Sequence, residues 1–157
     1  MRAATGFPQR IVCLTEETTE TLYLLGEDWR IVGISGFTVR PPRARREKPR
    51  VSAFISADFD KILALEPDLV LAFSDLQADI AAELIRRNIA VHAFNQRDIA
   101  GILDMIRTLG ALVGAADKAD ALAANFERRL AQARERAAAL TDGVRAIQRV
   151  IEEWCAG

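Results

Sequence analysis

Histidine occurs once in these 157 residues and cysteine twice, which leaves little material for a metal centre or a redox site. His92 stands inside a strand-like run with no second His or Cys at ligand spacing, so it reads as a structural imidazole. Cys13 lies in the first strand pattern and Cys155 close to the end, and they read as one buried thiol and one terminal thiol rather than a disulfide. No uncharged apolar run approaches the ~20 residues of a membrane span. Residues 1–9 lack the apolar stretch of a secretory signal, and on that reading the chain stays in the cytoplasm. A formal net charge of −1 gives no bulk attraction to nucleic acid or to a membrane surface. No Gly-x-Gly-x-x-Gly follows a strand, Gly33 and Gly36 being a weak echo. Walker loops, Gly-x-Ser-x-Gly elbows and Cys-x-x-Cys pairs are missing too, which argues against an enzyme.

What is present is an apolar half of the chain, enough for one real core. Four strand signals recur, at residues 10–14, 30–35, 68–73 and 90–94, each rich in Val, Ile or Phe. Helical patterns separate them. The first spans 16–25, with Thr15 placed to cap it, Glu16 and Glu17 suiting its dipole and Gly26 ending it. A second starts near Asp58 with Ser56 as its cap and stops at Pro67, which lacks an N–H. A third covers 76–87 with Asn88 as a left-handed stop, and a fourth covers 98–113. Strand–helix alternation predicts an α/β fold: a doubly wound, mainly parallel four-stranded sheet. After Gly114 the texture changes. Ala119, Leu122, Phe126, Leu130, Ala133, Ala137 and Leu140 step by three or four, which predicts one long helix over 115–140. The tail carries Val144, Ile147, Val150, Ile151 and Trp154 on one helical face, although 149–151 also suits the opening of a strand. Gly143 is expected to break the helix, with a short helix over 144–154 folding back or meeting a second copy in a homodimer.

Ligands of open α/β sheets bind beyond the carboxyl ends of the strands. Phe37, Phe54, Phe73 and Phe94 fall at or just past strand-like runs, each followed by polar residues. Pattern alone leaves two meanings open, the wall of a pocket for a large organic ligand or the closed end of the core. Residues 40–50 carry six basic residues, three prolines and one acid with no interleaved aromatic, which reads as a solvated, extended loop. Asp58 and Asp60 sit in the first turn of the second helix, where dipole compensation suffices to explain them.

Several phrases combine in order: Arg10-Ile11-Val12-Cys13-Leu14-Thr15, Thr19-Glu20, Leu25-Gly26 and Arg30-Ile31-Val32-Gly33-Ile34-Ser35. Pro41-Pro42, the run from Ile62 to Leu71, Leu109-Gly110 and Gly114 follow. Over residues 10–140 the chain resembles the helical-backbone substrate-binding proteins of ABC importers, in their cobalamin- and iron-siderophore-binding branch. The resemblance implies two α/β lobes joined by a long rigid helix, with the ligand in the cleft between them. It implies a periplasmic location and delivery to a membrane permease that grips an acidic side chain on each lobe. On that basis residues 1–114 are the first lobe, 115–141 the bridging helix and 142–157 a tail resembling the start of a second lobe, with truncation as the expectation. The ligand-binding positions become Thr15, Glu16, Glu17, Thr18, Phe37, Phe54, Phe73 and Phe94, and the docking acid becomes Asp60, where the family more usually has Glu. The family's first loop has Ser or Thr, then Pro and Ser; here Glu16 and Glu17 intervene. Two rim carboxylates disfavour an anionic ferric siderophore and suit a neutral or cationic ligand such as a corrinoid, with no cofactor or metal of the protein's own. The rival readings are a small flavodoxin-like cofactor domain or enzyme, and a cytoplasmic interaction module that uses the exposed helix.

Overall fold

Continuously apolar runs need cover on both faces, and the sheet supplies it. The computed structural model describes residues 6–155. Its strands are β1 (Ile11–Cys13), β2 (Ile31–Ser35), β3 (Arg50–Ser52), β4 (Leu69–Phe73) and β5 (Val91–Phe94). They form one parallel sheet in the order β3-β2-β1-β4-β5. The helices are α1 (Glu16–Leu24), α2 (Ala44–Glu47), α3 (Phe59–Ala64), α4 (Ala78–Arg86), α5 (Ile99–Leu112) and α6 (Ala116–Cys155). Short 3-10 turns occupy Asp28–Arg30 and Asp75–Gln77. The doubly wound parallel α/β fold is as the alternation predicts, with one strand more than the four read from the sequence. The extra strand, β3, has three residues, of which Val51 alone is buried. It pairs with β2 at the sheet edge, and its flanking Pro49 and basic residues hide it from pattern reading.

Alternation along the strands divides the core. Val12, Leu14, Val70 and Ala72 pack in one cluster with Ile62 of α3 and with Ile80 and Leu84 of α4. Ile11, Cys13 and Leu71 are equally buried, and α1 packs against both β2 and α5. Burial pushes the Cys13 thiol up to about 12, which leaves it an inert part of the core. Gly33 sits in close packing: a Cβ there would lie 3.0 Å from Leu65 and 3.1 Å from Val51, so those side chains would have to give by a few tenths of an ångström.

The turns follow local chemistry. Gly26 and Gly114 take the left-handed conformation that ends α1 and α5, and Asn88 does so after α4. Thr15 holds the N-cap position of α1, yet its hydroxyl meets the Thr18 hydroxyl at 3.3 Å instead of a backbone N–H. The cap of α3 is Asp58, not Ser56: its carboxylate accepts from the Lys61 N–H at 3.1 Å. The basic segment is not simply extended either. It contains α2, pinned where the Tyr23 hydroxyl donates to Glu47 at 2.7 Å and where Arg43 lies over the Tyr23 ring. Burial, and after it the hydrogen bond to the Glu47 carboxylate, hold the Tyr23 phenol above its ordinary range.

One buried ion pair ties distant parts of the sheet layer together. Arg30 Nε donates to Glu27 at 2.9 Å, and its other nitrogens donate to the carbonyls of Pro8 and of Val113, the latter at 3.1 Å. Lys118 Nζ reaches the second Glu27 oxygen at 3.0 Å. Burial pushes the Glu27 carboxyl upward, but hydrogen bonds and charge from Arg30 and Lys118 outweigh it and hold it below its ordinary value of 4.5.

The chain divides into two compact units, Met1–Leu122 and Ala123–Gly157. The second is built on α6, which continues through Gly143 without a break. The expected break, with a separate short helix folding back, is therefore corrected: the tail is helical but continuous with what precedes it. A lone mid-helix glycine costs about 1 kcal/mol, and the flanking Ala, Leu, Arg and Gln residues are good helix formers that carry the helix across it.

Candidate functional site

All five strands are parallel, so their carboxyl ends meet at one side of the sheet, and the loops leaving them build the candidate site. Strand order reverses about β1, with β2 and β3 on one side and β4 and β5 on the other. Gln77 closes the seam between β1 and β4. Its buried amide donates to the carbonyls of Leu14 at 3.2 Å and of Phe54 at 2.8 Å. Its carbonyl oxygen accepts the Phe73 N–H at 2.9 Å. One side chain thus fixes the ends of two strands and the loop after a third. Nothing in the sequence pattern marked it, because a glutamine at a helix start is ordinary until its burial is known.

Beside this hub, a concavity of about 250 Å³ is lined by Thr15, Glu16, Glu17, Glu20, Ser35, Phe37, Arg40 and Phe54. The first two turns of α1 present the acids, β2 ends in Ser35 with Phe37 in the turn after it, and the loop after β3 presents Phe54. Five of the eight sequence-predicted positions meet here: Thr15, Glu16, Glu17, Phe37 and Phe54. The other three lie elsewhere among the described residues. Thr18 is buried and donates to the Thr15 carbonyl at 3.3 Å. Phe73 is half-buried at the end of β4 beneath Arg97, which is 5.5 Å from its ring centre and also pairs with Asp75. Phe94 is buried, with its ring 4.4 Å from that of His92. Desolvation holds the His92 imidazole below its ordinary value, which favours its neutral form.

Sequence reading missed Glu20, Ser35 and Arg40. The Arg40 backbone N–H donates to Glu16 Oε1 at 3.0 Å, and its guanidinium reaches Glu16 at 3.5 Å and Glu20 at 3.3 Å. The helical spacing of Glu16 and Glu20 was the available signal; the arginine comes from a loop and was not legible. Three carboxylates against one guanidinium leave the rim acidic. Phe37 is 63% exposed, an aromatic face turned to solvent at the mouth. The chemistry on offer is non-covalent: aromatic surface for an apolar ring system and carboxylates for hydrogen-bond donors or cations. No group of His, Cys, Asp and Glu among the described residues is arranged to hold a metal.

Asp60 is exposed in the first turn of α3. Its neighbour Asp58 is held below the ordinary carboxylate range by the backbone N–H of Lys61 and by the Lys61 ammonium at 3.3 Å.

The sequence profile of the family described as periplasmic binding protein matches residues 11–149. The chain belongs to that family. A vitamin B12-binding protein of Pectobacterium carotovorum is 26% identical over 133 residues, covering 84% of this chain and 48% of that protein. A cobalamin-binding protein of Halobacterium salinarum is 29% identical over 139 residues, covering 87% and 36% respectively. The crystal structure of a periplasmic vitamin B12 binding protein of Vibrio cholerae aligns with a TM-score of 0.73 at 26% identity, over 82% of this chain and 51% of that one. The chain therefore spans about half the length of these relatives, or less. This periplasmic binding protein family is one of solute-binding proteins, not of enzymes, and its ABC-importer members deliver small ligands to permeases. No helix among the described residues is long and apolar enough to cross a membrane.

Proposed function

We propose that this periplasmic binding protein carries one wall of a corrinoid-binding site in an ABC importer, with Asp60 on the face that meets the permease. The observation that carries the reading is the concavity at the ends of β1, β2 and β3. It pairs the aromatic faces of Phe37 and Phe54 with the carboxylates of Glu16, Glu17 and Glu20. A corrin bears neutral amides whose N–H groups donate to carboxylates, whereas a dicarboxylate tetrapyrrole brings like charge to an acidic rim. The B12- and cobalamin-binding relatives point the same way. One wall removes less of a large ligand from water than a closed cleft does, so the affinity of these residues alone is weak.

Absorbance titration with cyanocobalamin and with hemin tests the reading. The corrinoid is expected to bind more tightly, and Phe37→Ala to weaken it. Joint Glu16→Gln, Glu17→Gln and Glu20→Gln substitution is expected to close the gap between the ligands by about tenfold. Preference for hemin by the unmodified chain, or absence of any corrinoid binding, would overturn it. The docking part is tested separately, because Asp60→Asn should lower uptake in cells and leave the titration unchanged.

A further inference from the structure

The side chains of α6 from Ala131 to Glu152 are all exposed. They include Leu140 (72%), Val144 (63%), Ile147 (63%) and Ile151 (56%), large apolar groups in one line. A contiguous apolar strip of this kind marks an interaction surface. Its spacing is informative. Ala133, Ala137, Leu140, Val144, Ile147, Ile151 and Trp154 step alternately by four and three residues. That is the seven-residue repeat of a coiled-coil seam, with Ala137, Val144 and Ile151 at one core position and Leu140, Ile147 and Trp154 at the other.

Charge decides the orientation. Parallel pairing in register would set Arg129 of one helix against Arg134 of the other, a like-charge contact. Antiparallel pairing instead brings the Arg134 and Arg136 end of one helix to the Glu152 end of the other. It stacks Val144 on Ile147 and Leu140 on Ile151, four exposed aliphatic side chains in two layers. Thr141, Gly143, Gln148 and Val150 flank this stretch, and none of them brings a charge to the seam. Gly143 has nothing within 4 Å of where a Cβ would stand, which leaves room for close approach.

We infer that α6 pairs with the α6 of a second copy as a short antiparallel coiled coil, with Leu140, Val144, Ile147 and Ile151 as its seam. The inference does not depend on the ligand reading. Sedimentation equilibrium of the 157-residue chain over a range of concentrations should move from the mass of one chain to that of two. Joint Leu140→Asp and Ile147→Asp substitution should return it to one chain at every concentration, with the unfolding of the sheet unit unchanged. Orientation is read by oxidising single-cysteine chains in a Cys155→Ser background, in which Cys13 is buried and unreactive. A mixture of Val144→Cys and Ile147→Cys chains should cross-link to each other several-fold faster than either does to itself. A one-chain mass throughout would overturn the pairing, and so would assembly that survives the aspartates. Faster self-linking of Val144→Cys would overturn the antiparallel arrangement.

Discussion

Ile34 and Leu71 in the sheet are fully buried, whereas Leu140 and Ile147 in α6 stand mostly in water, although all four are aliphatic side chains of nearly equal size. Charge divides in the same way. Glu27 and Arg30 form a buried pair at 2.9 Å beneath the sheet unit's surface, while Asp142 and Arg145 on α6 are exposed and 3.9 Å apart. The sheet unit gains stability from contacts between residues far apart in sequence. The α6 unit relies on backbone hydrogen bonds within one helix and keeps its apolar strip unspent. The difference teaches that secondary structure and tertiary stability are separable in this chain. A helix satisfies its own backbone, while a parallel strand satisfies nothing until its neighbours arrive.

The largest effect that would sharpen this contrast is expected from Arg30→Ala. It strips Glu27 of its main partner, and breaking a buried pair from one side costs about 3–5 kcal/mol. Urea unfolding of the sheet unit should show a correspondingly lower midpoint, and a midpoint within error of the parent would mean the pair is dispensable. Leu71→Ala comes next, since truncating a fully buried leucine costs about 2–5 kcal/mol. Its measurement is the same, and a loss below ~1 kcal/mol would show that the core relaxes around the gap.

A smaller effect is expected from acid. Glu27 titrates below its ordinary value in the fold, so its contribution is complete above the unfolded value of 4.5 and is lost as pH falls through the lower folded value. The parent midpoint should therefore fall more steeply than that of Glu27→Gln between about pH 5 and pH 3. Parallel curves would remove Glu27 from the account of acid sensitivity. The smallest effect is expected from Leu140→Ala, which should change the stability of the isolated chain by less than about 0.5 kcal/mol at concentrations below pairing. A loss like that of Leu71→Ala would break the contrast, because it would show that the strip is already packed.

Much of the fold was legible because long apolar runs and regular spacings have few other meanings. Strands β1, β2, β4 and β5, the ends of α1 and α5, and the left-handed Asn88 all followed from local pattern. Strand β3 did not, since three residues with one buried valine carry no periodicity. The cap of α3 was displaced by two residues because both Ser56 and Asp58 are good caps, and tertiary position chose between them. Gly143 misled because its cost is small beside the propensity of its neighbours. At the site, the aromatic positions after each strand were legible as candidates. Their separation was not: Phe37 and Phe54 line a common concavity with the α1 acids, while Phe73 lies under Arg97 and Phe94 against His92. Gln77 and Arg40 were silent in the sequence for the same reason, since Gln77 reaches Leu14 and Phe54 and Arg40 reaches Glu16 and Glu20, all 20 or more residues away.

The sequence by itself determined the alternation of strands and helices, the parallel class of the sheet and the long helix over residues 116–140. These rest on local geometry, namely the two-residue period of a pleat, the 3.6-residue period of a helix and the φ angles open to Gly, Asn and Pro. Only the tertiary structure decided which loops meet at the sheet's end, that a buried glutamine would hold them and that Arg40 would share the acids of α1. Those outcomes depend on strand order and on long-range contacts, and no local spacing records either.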